Sequence, residues 1–151
     1  MGILRWGGAL LLAGFLIFMG VQKFGETSPV FQFIAEQSGL AFFEPTVRTL
    51  VGVSELVAAI TILAGLFVGK IRGFGPLMST GIIGGALLFH LSPWLGINAP
   101  MGFDETGAYV FSPVLFYMAV PAFLLSIFLL FTECEHLMRM FGEKISSTSD
   151  G

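Results

Sequence analysis

Charge is scarce in this 151-residue chain, where only 11% of residues are Asp, Glu, Lys or Arg, and the stretch from Ser92 to Tyr109 holds neither Lys nor Arg. A formal charge of −3 excludes the basic footprint of a nucleic-acid binder. No polybasic cluster suggests a reader of lipid headgroups. Cysteine is nearly missing too: Cys134 stands alone, so an internal disulfide is excluded and the redox compartment is not legible from thiols. No two histidines face each other at bundle depth for haem, and there is no Walker loop, no GxSxG and no CxxC. A self-sufficient catalytic or cofactor-ligand set is therefore not visible.

What the chain does have is apolar length. Hydrophobic residues make up 55% and the mean hydropathy is +0.89, far from soluble averages. The apolar material divides into four runs of about 20 residues, each long enough to cross a bilayer. The expected fold is all-α, a single-domain polytopic membrane protein built as a four-helix transmembrane bundle. Its helices are expected at about 4–23, 48–68, 74–91 and 110–131, followed by a flexible, water-exposed tail over about 132–151. The opening run is too long and too weakly basic for a signal peptide, so it is expected to remain as the first span. Trp6 stands where a myristoylation signal needs Ser or Thr.

Between the first two spans, Ser28 and Pro29 form a helix start and Gly39 a stop. They bracket a short amphipathic helix, Val30 to Gln37, expected on the membrane surface or capping the bundle, with Phe42 and Phe43 dipping into lipid. Basic residues set the orientation. Arg5, Lys70, Arg72, Arg139 and Lys144 fall on one side and only Lys23 and Arg48 on the other, so both termini are expected in the cytoplasm. A bacterial inner membrane is the expected location.

Glu55 is the residue the spans are organised around. Seven residues past Arg48, at about 1.5 Å each, it sits roughly 10 Å inside a hydrocarbon layer about 30 Å thick. An acid at that depth is costly. It shares a helix face with Gly52, Ser54, Ala58, Ala59, Thr61 and Gly65, whereas Val53, Leu56, Val57, Ile60, Leu63 and Phe67 form the other. The small face is expected to look into the bundle. Lys23, at the same outer level of the antiparallel first helix, is its expected partner, either as a lock between helices or as a proton-transfer or ligand site. His90 and Tyr117 lie at similar height and complete a candidate intramembrane polar site, each with a plainer reading as a solvated or merely satisfied side chain. Gly81 and Gly85 form a GxxxG pair expected to pack helices. The run Glu133-Cys134-Glu135-His136 points its residues in different directions, so no metal site is expected.

Several local patterns agree in order and spacing with one family. Arg5 with Gly7-Gly8, then Gly20-Val21-Gln22-Lys23-Phe24, Gly52-Val53-Ser54-Glu55-Leu56, the basic turn Lys70-Ile71-Arg72 and a third helix ending in His90 resemble the DoxX-like membrane proteins. The match runs from Arg5 to His90. Phe24 stands where the family commonly has Leu, and the tail lacks its frequent glycine-rich ending.

The resemblance implies a compact four-helix membrane protein linked to quinone-coupled or oxidative-stress redox systems, with Lys23 and Glu55 as the polar pair and Arg72 as a third member. On that basis the expected function is that of a subunit in a membrane redox system, docking a redox partner protein. Any electron carrier is then a bound quinone or belongs to the partner. The alternative is a small transporter of protons, cations or small molecules that uses Glu55 and assembles as a homo-oligomer through its glycine faces.

Overall fold

The computed structural model describes the backbone of residues 2–149 and the side chains of residues 2–133. Five helices and one hairpin make up the fold: α1 (Gly2–Gln22), α2 (Pro29–Ser38), α3 (Thr46–Gly65), α4 (Phe74–His90), β1 (Ala99–Phe103), β2 (Tyr109–Ser112) and α5 (Val114–Ser149). Short 3-10 turns, Ala41–Phe43 and Gly69–Ile71, lead into α3 and α4. Four helical segments are long and apolar enough to cross a membrane, ending with Val114–Glu133 in α5. This is the character of a multi-pass membrane protein.

The four long helices close a ring, α1 to α3 to α4 to α5 and back to α1, because small residues stand at every seam. At the α3/α4 seam, a Cβ on Gly75 would lie 2.5 Å from the backbone nitrogen of Ile62. At the α1/α3 seam, one on Gly52 would meet the Cβ of Lys23 at 2.9 Å. Thr80 and Ser126 share a hydrogen bond of 2.9 Å across α4 and α5, and Gly8 approaches Leu125 between α1 and α5. Backbones that come this close gain dispersion contacts that bulkier residues would prevent. Leu12, Leu16, Ala58, Ala59, Ile62, Ile83, Ala122 and Leu129 fill the centre. As expected for α3, Gly52, Glu55, Ala58 and Ala59 are buried while Val53, Val57, Ile60 and Phe67 are exposed.

One end of the ring is capped. Helix α2 begins at Pro29 and stops where Gly39 takes a left-handed conformation at φ 69°, which a glycine adopts without steric cost. Ser28 occupies the cap position, yet its hydroxyl makes no capping bond. Beneath α2, Ile34, Phe43, Leu95 and Ala99 form a second small core. Phe43 therefore does not dip outward as expected. It is buried and meets Phe89 edge-on at 5.7 Å, while only Phe42 is exposed.

The stretch left between the third and fourth expected spans, Ser92 to Tyr109, is not a plain loop. Strands β1 and β2 pair antiparallel, Ala99 with Ser112 and Phe103 with Tyr109, with an irregularity between Pro100 and Gly102. Asp104 organises the turn: Oδ1 accepts from the backbone N–H groups of Thr106 and Ala108 and from the Thr106 hydroxyl, while Gly107 supplies φ 81°. These bonds favour the ionised form and hold the Asp104 carboxyl below the usual aspartate range. The hairpin leans on α2, where Phe33 packs edge-on against Tyr109 and Phe111. The strand also explains why α5 starts at Val114 rather than at Val110. At its far end α5 continues past Phe131 to Ser149, carrying the helix through most of the stretch expected as tail.

Candidate functional site

Lys23, the first residue after α1, and Glu55, one turn beyond Gly52 on α3, come together. Lys23 Nζ donates to Glu55 Oε1 at 2.9 Å and Oε2 at 2.7 Å, and to the Met19 carbonyl at 3.1 Å. Both side chains are buried. The close approach at Gly52 is what allows the pairing, since any side chain there would strike the Lys23 stem. A buried pair gains little over an apolar replacement, but either member left alone is strongly destabilising.

This pair stands in the wall of a cavity of about 590 Å³ between the four spans and under α2. Its lining is chiefly apolar, including Phe15, Phe31, Ile83, Phe89, Leu115 and Met101. His90 joins the same wall from the end of α4. Its Nδ1 lies 3.0 Å from the Gly96 carbonyl and its ring meets Phe116 edge-on at 5.8 Å. Three of the four expected polar residues, Lys23, Glu55 and His90, therefore share one cavity. Tyr117 does not: it is 66% exposed on the outer surface of α5 and contributes nothing to the lining.

Gly81 and Gly85 also take a different part from the one expected. A Cβ at either position would meet nothing within 4 Å, so they pack against no helix among the described residues. Both line the cavity instead. The close contacts of α4 fall on Gly75 and Gly84, which sit on other sides of the helix.

Two further charged clusters lie apart from the Lys23–Glu55 contact. Arg48, buried at the start of α3, donates to the carbonyls of Lys23 (2.9 Å), Gly25 (2.6 Å) and Glu26 (3.4 Å), and its Nε lies 2.7 Å from Glu44 Oε1. It holds the segment leaving α1 against α3 and so fixes the height of Lys23. At the opposite end, Arg5 Nε pairs with Glu133 Oε1 at 2.6 Å, and Arg72 Nε lies 3.8 Å from Oε2. Arg72 thus belongs to this far cluster and not to the Lys23–Glu55 pair. A sequence signal existed for it: after four antiparallel spans, the start of the first and the end of the fourth lie on the same side. Of the run Glu133 to His136, only Glu133 lies within the described side chains, and it serves this ion pair.

Outside the spans, Tyr109 donates its hydroxyl to Glu36 Oε1 at 2.9 Å, tying the hairpin to α2 above the cavity. Partial burial first, and then the adjoining Glu36 carboxylate, push the phenol up to about 12. Among the described residues no three His, Cys, Asp or Glu side chains converge as a metal site needs. A lipophilic ligand of quinone size fits what is present, because ligand cavities of roughly 300–1,000 Å³ combine apolar walls with a few polar groups. No protein-family model, curated protein or solved structure matches the chain.

Proposed function

We propose that this chain is the membrane subunit of a quinone-linked or oxidative-stress redox system, holding a lipophilic, quinone-sized molecule in the cavity beneath α2. The observation that carries the reading is the joint placement of Lys23, Glu55 and His90 in the wall of an otherwise apolar space of about 590 Å³. Apolar walls hold the body of such a ligand, the polar trio orients its head, and α2 with the hairpin roofs the space. The resemblance to DoxX-like proteins, resting on the same Lys23 and Glu55 segments, supports the redox assignment by analogy. Redox chemistry is supplied by the bound molecule and a partner protein; this chain binds and orients.

Charge distribution supports insertion in a bacterial inner membrane with both termini cytoplasmic. Lys23 and Arg48, the cations of the capped end, are buried against Glu55 and Glu44, so that end displays no free Lys or Arg among the described residues. Arg5, Lys70 and Arg72 cluster at the other end.

The transporter reading is weaker, because Lys23 already holds both oxygens of Glu55 and a cation must displace it. Purification in mild detergent, followed by solvent extraction of bound lipids and identification of co-purifying proteins, tests the proposal. A bound quinone or hydroquinone together with a redox partner is the expected result. Neither being present, with proteoliposome cation flux that Glu55→Gln abolishes, would overturn it in favour of transport.

A further inference from the structure

Away from the rim, the polar groups on the cavity wall have one property in common: their protons are already committed inside the protein. An ammonium has three N–H bonds, and Glu55 Oε1, Glu55 Oε2 and the Met19 carbonyl take those of Lys23. The Ser54 hydroxyl donates to the Leu50 carbonyl at 2.8 Å. At His90 the Nδ1 partner is the Gly96 carbonyl, which can only accept, so the proton of the neutral ring is on Nδ1 and Nε2 is a bare lone pair. Nε2 has no partner among the described residues. What the wall leaves available is acceptors: His90 Nε2, the spare lone pairs of Glu55, and Ser54 Oγ. Side-chain donors without an internal acceptor occur only towards the rim, around Thr27 and Ser28 beside the exposed Gln22.

A second observation concerns where the cavity opens. Helices α3 and α4 touch at Ile62 and Gly75. Gly81 and Gly85 have open space where a side chain would stand, and Gly81 is exposed. Both line the cavity together with Val51 and Ser54 from α3. The space therefore has a side opening within the spans in addition to the rim at Gln22 and Thr27.

Building on the reading of this cavity as a ligand site, we infer that its occupant is a single-tailed amphiphile whose head donates hydrogen bonds, a phenol or hydroquinone, and whose tail leaves between α3 and α4 past Gly81 and Gly85. A quinone, ether or carboxylate head brings further acceptors to a wall of acceptors and leaves His90 Nε2 unmatched. Such a mismatch costs about tenfold or more in affinity.

The test uses the purified full chain in lipid nanodiscs with three anaerobic probes: decylhydroquinone, its dimethyl ether and decylquinone. Decylhydroquinone should bind about tenfold or more tightly than the other two, and His90→Phe should remove most of that preference. Gly85→Leu, placed where nothing lies within 4 Å, should weaken decylhydroquinone about tenfold more than it weakens methylhydroquinone. Equal affinity for all three probes overturns the donor-head inference while leaving the cavity a ligand site. Binding of none overturns both. Equal effects of Gly85→Leu on the long and short probes overturn the tail route.

Discussion

Lys23 and Glu55 show how an ionised pair can be kept inside a span. All three ammonium protons have acceptors, and the carboxylate receives two of them, so removing either partner leaves a buried charge unmatched. Lys23→Met should destabilise the protein by about 3–5 kcal/mol, whereas Lys23→Met combined with Glu55→Leu should recover most of that loss. Thermal unfolding in detergent measures both. Equal destabilisation of the single and double variants would show that the unpaired charge is not the cause. Arg48 works differently, since it donates to three backbone carbonyls of the segment that follows α1, those of Lys23, Gly25 and Glu26, and so ties that segment to α3.

At the scale of elements, the cap depends on groups that titrate in water. The hairpin turn rests on the Asp104 carboxylate, whose folded value lies below the ordinary one. Its contribution is therefore complete above the ordinary aspartate range and disappears as pH falls through the depressed value. The protection of the Thr106 and Ala108 amides against exchange, taken relative to the intrinsic rate at each pH, should fall in acid, and Asp104→Ala should abolish that pH dependence. Tyr109 runs in the opposite direction. Its neutral phenol supports the contact with Glu36 at all pH values below the ordinary tyrosine range, and that support is lost as pH rises through about 12. Ultraviolet titration should show a phenolate step near there that Tyr109→Phe removes. If the late step survives that substitution, the hairpin is not docked on α2 through this bond.

For the whole molecule, the ring of helices is set by which glycines stand at seams. Gly75→Val drives its side chain into the Ile62 backbone and should prevent folding or cost several kcal/mol, while Gly81→Val enters open space and should change thermal stability little. Comparing expression and melting of the two variants decides the matter; similar behaviour of both would contradict the packing described. The Arg5–Glu133 pair joins the start of α1 to α5 at the basic end. Reporter fusions after Gln22 and after Gly65 should accordingly give opposite sidedness, with Gly65 on the cytoplasmic side, if Arg5, Lys70 and Arg72 orient the bundle.

Read by itself, the sequence determined the number of spans, the inward face of α3, the Lys23–Glu55 pairing and the stop of α2 at Gly39. These follow from apolar length, helical period, the cost of an unpaired charge in a low dielectric and the special freedom of glycine, all of which are local or nearly so. Tertiary structure alone decided which glycines pack and which open a cavity, because Gly75, Gly81, Gly84 and Gly85 are chemically identical and differ only in what lies across from them. It also decided that Tyr117 faces outward, that Arg72 joins Glu133, and that residues 99–103 and 109–112 pair as strands. Those outcomes depend on how far neighbouring helices splay and what surface α2 presents, distances that no spacing along a single chain encodes.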